Sequence, residues 1–376
     1  MSRRQSGETA ALPPLPCRDR LSLVVRKVSK KLAPAGMSAC VVKPGFAPWC
    51  GSANLPAQDG PAAAAAEPRF LIASIAKNYM AALTLRLFEQ GTLRLDDPIG
   101  KWLPSQHPMI DPGITVHQLL NHTSGLDDYV GHPDSLYRRG YARIEHERIW
   151  SSSEILVEMV PPPRARPGET WVYSTTNYLL LKDILEVATR TPLQRAMRRH
   201  LLDPLDLADT IVIGDAASLV RDDLNVAKNW LDVDADGVVE DVSRDSLAWL
   251  SFVPHVMFAT ARDLAAWSQA LFAERAVLGD TSLDMMLDVY APIRSAEDPM
   301  IVGYGLGVAE FPERLFDGKR AVGHLGWDFG WMGALVHVIE DGLTIVVLMN
   351  TNDERTMTEA VLGLWSEAKC VRLAEA

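Results

Sequence analysis

Ser74 and Lys77 stand three residues apart at the head of an apolar-periodic run, ASIAKNYMAALTLRLFEQG. Residues i and i+3 share a helix face, so the Lys77 amine can reach the Ser74 hydroxyl, and both lie near the positive end of the helix dipole. An amine in water stays protonated up to about pH 10.4 and cannot accept a serine proton at neutrality. To serve as a base it needs a pKa lowered by about three units, which burial, a helix N-terminus and nearby cations all favour. Catalysis by this pair therefore demands a dry, crowded site. The spacing is weak alone: Ser366-Glu-Ala-Lys369 repeats it inside the closing helix, where surface residues explain it. Ser74 could equally be an N-cap beside an exposed lysine.

The surrounding pattern supplies elements to position such a pair. MSACVVK (37–43) and RFLIAS (69–74) have strand composition, with a loop, PAAAAAEP, at 61–68 between them. The helix opening at Ser74 carries Met80, Leu83, Leu87 and Phe88 on its apolar stripe and Gly91 as terminator. ITVHQLLNHTSGL predicts a short helix ended by Gly125, and the chain from about 130 to 280 reads mainly helical. The exception is WLDVDADGVVEDV, whose alternation around Asp236-Gly237 fits a hairpin. After 300, four strand-like segments and a last helix follow. Residues 1–20 are expected as a disordered arm, 21–95 and 290–376 as an α/β domain built from both ends, and 96–289 as a mostly helical domain.

Composition excludes several function classes. The 376-residue chain carries a net charge of −11 and a pI near 5.3, which leaves no basic footprint for nucleic acid. The first twenty residues never reach the apolar core of a secretion signal, so a cytoplasmic protein is expected. The longest apolar runs, such as LTIVVLM, are strand-length, and no membrane segment is expected. Cys17, Cys40, Cys50 and Cys370 show no C-x-x-C spacing and are expected as ordinary thiols. Asp232-Val-Asp-Ala-Asp236-Gly237 begins like a calcium loop, but Ser243 occupies its twelfth position, so a turn is the better reading. His107, His117, His132, His146, His200 and His337 lack ligand spacing, and no metal is expected.

Beyond these local readings, the sequence resembles the serine β-lactamase and penicillin-binding-protein superfamily, in the branch with class C β-lactamases, D-peptidases, esterases and transacylases. Five segments carry the resemblance: RFLIASIAKNYMAALTLRLFEQGTLRLDDPIGKWLP, ITVHQLLNHTSGLDDY, RPGETWVYSTTNYLLLKDILE, HLLDPLDLADT and GHLGWDFGWMGALVH. It implies an α/β fold of the β-lactamase type, an antiparallel sheet flanked by helices with an inserted helical domain. It makes Ser74 the nucleophile, Lys77 its base and Tyr173 the phenol that relays protons. His324-Leu325-Gly326 takes the place of a Lys-Thr-Gly triplet: His324 would offer a donor or a positive charge, and Gly326 would let substrate approach the strand. Backbone N–H groups of Ser74 and Trp327 would form an oxyanion hole. His122 belongs to a motif the family uses as scaffold.

Departures from the pattern matter for substrate choice. Thr175 stands where the family places an asparagine after Tyr-x, and Thr cannot offer an amide's paired donor and acceptor. His255-Val256-Met257 and Trp327-Asp328-Phe329 put bulk where small residues are common, and Trp327 and Trp331 are cleft candidates. The expected chemistry is acyl transfer from a small-molecule ester or amide through a covalent Ser74 ester, with no cofactor. Water, an amine or an alcohol could be the acceptor. A binding protein that kept the fold without catalysis is the rival.

Overall fold

The computed structural model describes residues 12–55, 67–103, 108–130, 150–213, 225–232, 236–243, 256–289, 291–292 and 300–369. Most of the expected loop at 61–68, together with His107, His132, His146, His255, Trp249 and Cys370, lies outside the described residues.

Long apolar strands set the architecture. β12 (Trp331–Val338) and β13 (Leu343–Met349) are buried along their whole length, which requires a sheet covered on both faces. They lie at the centre of an eight-stranded sheet with β1 (Met37–Val42), β2 (Trp49–Ala53), β8 (Ala291–Pro292), β9 (Gly303–Tyr304), β10 (Ala309–Phe311) and β11 (Ala321–Asp328). The order is β2-β1-β13-β12-β11-β10-β9-β8, and every pairing is antiparallel. Alternation along β1 and β13 sends Ala39, Val41, Ile345 and Val347 to one core and Cys40, Val346 and Leu348 to another. The first core is closed by α1 (Arg18–Ser29) and the C-terminal helix, α10 (Glu354–Lys369), through Leu21, Val25, Leu364 and Trp365. The second is closed on the sheet by α8 (Ala261–Ser268), which packs on β1, β12 and β13, and continues into the helices α2 (Ala76–Glu89), α3 (Ile99–Trp102), α4 (Val116–Leu120), α5 (Ser152–Glu158), α6 (Thr175–Thr189), α7 (Leu193–Met197) and α9 (Asp280–Leu287).

Helix α2 leads from a turn packed on β11 and β12 into the midst of the helices, against α6, α7 and α9, so it is buried nearly all round rather than along one stripe. Two of its buried polar residues are paired. Asn78 accepts from Trp267 Nε1 at 2.8 Å and donates to the Gly307 carbonyl, and Thr84 donates to Met80 O. Gly91, at φ +70°, ends the helix with Gly91 N–H bonded to Phe88 O and Thr92 N–H to Leu87 O, both at 2.9 Å.

Several expectations are corrected. Residues 12–20 are packed rather than a disordered arm: Leu15 and Cys17 are buried and α1 begins at Arg18. Cys40 and Cys50, placed opposite each other by the β1–β2 register, are joined in a disulfide, so they are not free thiols. Of RFLIAS only Phe70–Leu71 forms a strand, β3. It joins β4 (Ile211–Val212) and β7 (Met257–Ala259) in a small sheet within the stretch expected to be mainly helical. α4 stops at Leu120, before Gly125, because the chain turns at Asn121 and His122, the latter at φ +62°. The Asp236-Gly237 region is a turn: β5 (Trp230–Leu231) pairs antiparallel with β6 (Glu240–Asp241). The Asp232 carboxylate accepts the N–H groups of Asp236 and Gly237.

Candidate active site

Ser74 sits in a single 3₁₀ turn, Ala73–Ile75, that feeds directly into α2, and Lys77 occupies the first turn of that helix. The turn is tight enough to hold Ala73 at φ +47°, a left-handed conformation costly for a residue with a Cβ. It leaves Ser74 half-buried while Lys77 is fully buried, with Nζ 2.9 Å from Ser74 Oγ. Burial lowers the Lys77 pKa from its ordinary 10.5 to about 7. The nearby carboxylates of Asp128 and Asp328 oppose that shift. The expected help from neighbouring cations is therefore replaced by desolvation alone, working against two acids.

Aromatic rings provide the desolvation. Lys77 Nζ lies 5.0 Å from the centre of the Tyr173 ring and 5.5 Å from that of Tyr178. Tyr173 stands just before Ser174, the N-cap of α6, which brings it over the amine, and Tyr178 on α6 is fixed by its hydroxyl donating to Leu120 O at 3.0 Å. Behind Tyr173, the His122 ring lies 4.4 Å away, centre to centre, and Tyr304 completes the group 6.2 Å from Tyr173.

His324 reaches this group from β11, but in a different role from the one expected. It is buried, with a pKa lowered to about 3 by burial first and then by Lys77, so it brings no positive charge at neutral pH. Its Nδ1 faces the Leu325 carbonyl, which only accepts, so Nδ1 carries the proton and Nε2 accepts the Tyr304 hydroxyl at 2.8 Å. Its ring is 6.4 Å from Tyr173.

Gly326 is also reassigned. A Cβ there would stand 2.3 Å from Ile72 O, so the missing side chain lets β11 approach the nucleophile turn, rather than opening space for substrate. The two residues Phe329 and Gly330 link β11 to β12, pairing Asp328 with Trp331. Ladder alternation from that pair turns the Trp327 N–H away from β12, on a side where β10 pairs only with residues 321–323. The Trp327 side chain is 50% exposed, whereas Trp331 is buried in the core. Thr175, expected to contact substrate, is buried at the start of α6 and donates its N–H to Asp128 Oδ1 at 3.0 Å. The other Ser-x-x-Lys copy lies on α10, with Lys369 paired to Asp317 at 2.8 Å, far from this chemistry.

The structure thus brings together Ser74, Lys77, Tyr173 and His324, and adds Tyr304, Tyr178 and Asp128, which sequence reasoning missed, and Asp328, which it read only as bulk after the third motif. Asp128 lies within NHTSGLDDY and Tyr304 within YGLG, and neither had a local signal beyond the neighbouring motif or glycines. An amine near its neutral point, hydrogen-bonded to a hydroxyl in a dry aromatic pocket, can take that hydroxyl's proton.

A helix-flanked antiparallel sheet with this pair at the foot of its buried helix defines the serine β-lactamase and penicillin-binding-protein-like class. Within it, the chain belongs to the Beta-lactamase family, whose model matches residues 24–364. It is 25% identical over 302 residues to penicillin-binding protein 4* of Bacillus subtilis (strain 168), covering 78% of this chain and 63% of that one. It is 32% identical over 155 residues to esterase EstB of Burkholderia gladioli, 37% of each. The chain thus spans less than two thirds of either relative. The solved D-stereospecific amidohydrolase from Streptomyces sp. superposes with a TM-score of 0.73 at 27% identity, covering 92% of this chain and 98% of that one.

Proposed function

We propose that the chain is a serine hydrolase acting on a small-molecule ester or amide through a covalent acyl-enzyme. The observation that carries this reading is the 2.9 Å contact between Ser74 Oγ and a fully buried Lys77 amine whose pKa is about 7. Lys77 takes the Ser74 proton as Oγ attacks the carbonyl carbon. The negative charge that develops on the carbonyl oxygen is held by the N–H groups of Ser74 and Trp327, interactions worth about 10²- to 10³-fold in rate per donor elsewhere. Tyr173, against the lysine, carries the proton onward to the leaving group as the tetrahedral adduct collapses, leaving Ser74 acylated. Water then enters, gives up a proton by the same route in reverse, and releases the acid. Neutral His324 supports the arrangement by fixing Tyr304 rather than by supplying charge. Esterase and amidohydrolase relatives support a carbonyl substrate of this class. Half-exposed Trp327 beside the reacting centre would contact the substrate, and Thr175 acts through Asp128 at the rim of the same pocket.

Intact-mass spectrometry after exposure to a fluorophosphonate tests the reading. One adduct on Ser74, absent in Ser74→Ala, is expected. A folded protein that takes no adduct from fluorophosphonates or activated esters would make it a binding protein. An activated ester whose acyl group passes to an added amine faster than to water would make it a transacylase.

A further inference from the structure

His122 has one half of its ring explained and one half not. Its backbone is left-handed and its side chain is fully buried. Nδ1 lies 3.1 Å from the Ser174 N and 3.0 Å from Asn177 Nδ2. A backbone amide can only donate, so Nδ1 is the acceptor and the ring proton is on Nε2. That Nε2 is buried with no hydrogen-bond partner among the described residues. An orphaned donor of this kind ordinarily costs about 1–3 kcal/mol.

The ring as a whole is packed into the aromatic group. His122 lies 4.4 Å from Tyr173, 4.9 Å from Tyr304 and 5.4 Å from Tyr178, centre to centre. Tyr173 and Tyr178 are the rings that cover the Lys77 amine. We infer that His122 is a positioning residue, whose buried ring packs against Tyr173, holds that ring over Lys77 and keeps water from the amine.

The inference rests on Lys77 acting as the base of the proposed reaction. The ionisable groups involved are Lys77 on α2, Tyr173 and Tyr178 at the head of α6, Tyr304 and His324 from the sheet side, with Asp128 and Asp328 acting on Lys77. Burial, with Lys77 and His324 adding to it, holds His122 well below the usual histidine range, so it stays neutral and its own titration contributes nothing near neutrality. If Tyr173 loses its backing, water reaches Lys77 and the pKa of the amine climbs back toward that of a solvated lysine.

Two variants separate positioning from scaffolding, each read by the pH dependence of Ser74 acylation with an activated ester. His122→Asn keeps an acceptor for Ser174 and tolerates the left-handed backbone, and it exchanges the ring for a shorter amide that cannot reach the position of Nε2. It is expected to fold, to acylate about 10²-fold more slowly, and to need a pH about one unit higher for half its maximal rate. His122→Gln carries an amide donor to the position of Nε2 and gives up the Ser174 contact. It is expected to lose thermal stability yet keep its half-maximal pH near that of the wild type. Wild-type rate and pH dependence in His122→Asn would overturn the inference, as would a displacement in His122→Gln as large as the one expected for Asn. If His122→Asn fails to fold, His122→Gly, which tolerates the left-handed backbone and also removes the ring, takes its place with the same expected slowing and displacement, and wild-type behaviour in it overturns the inference. No acylation of the wild-type protein would instead reject the base role of Lys77, and the inference with it.

Discussion

At the scale of single residues, Lys77 is where stability and chemistry conflict. A lysine whose pKa falls from 10.5 unfolded to about 7 folded binds fewer protons in the native state between those values. Stability therefore rises with pH from about 7 to about 10.5 and gains nothing from this group below 7. Replacing the amine by an apolar chain of similar length should remove that cost. Lys77→Met is expected to be more stable than the wild type at pH 7 by about 1–3 kcal/mol, and to lose acylation of Ser74. Thermal unfolding combined with intact-mass labelling checks both. A variant that is destabilised, or that acylates normally, contradicts the role given to burial here. Ser74 and Lys77 were legible because their spacing, weak alone, falls at the head of an apolar-periodic run inside a segment that resembles the family's nucleophile helix. His324 was legible only as a position: its neutrality follows from burial, which no local sequence reports.

At the scale of elements, the site depends on how closely β11 approaches the turn before α2. Gly326 permits that approach, since a methyl group there would press on Ile72 O. Gly326→Ala is therefore expected to push the strand off the turn and carry the Trp327 N–H with it. Acylation should slow about 10²- to 10³-fold while the protein stays folded, measured by labelling rate beside circular dichroism. An unchanged rate would place the oxyanion donors elsewhere. The long strands β11 to β13, α2 with its Gly91 terminator, and α10 were readable because their periodicity and caps are local. The small β3-β7-β4 sheet was not, because its strands are two or three residues long and form only through partners about 190 and 45 positions apart. The early stop of α4 escaped for a related reason. A histidine, not a glycine, takes the left-handed turn, and the bonds that reward it come from Ser174 and Asn177.

At the scale of the molecule, the pocket is assembled from chain segments near 74–77, 122–128, 173–178, 304 and 324–328, which only the complete fold brings together. Tyr304 shows the limit most clearly: a tyrosine between glycines has no functional signature until the sheet sets its hydroxyl against His324. The segments matched in family order could be recognised as a set, whereas the residues between motifs could not. The disulfide was hidden in the same way, since ten residues of separation reveal a pair only when β1 and β2 are in register.

The central claim is that this assembly keeps the Lys77 amine neutral enough to deprotonate Ser74. It is tested most directly by the rate of Ser74 acylation by an activated ester, followed by intact mass from roughly pH 5 to 10. The account predicts a rate that rises about tenfold per pH unit, bends near the Lys77 pKa of about 7, and is flat beyond. A rate that climbs without a bend to about pH 10, as for a solvated lysine, would contradict it.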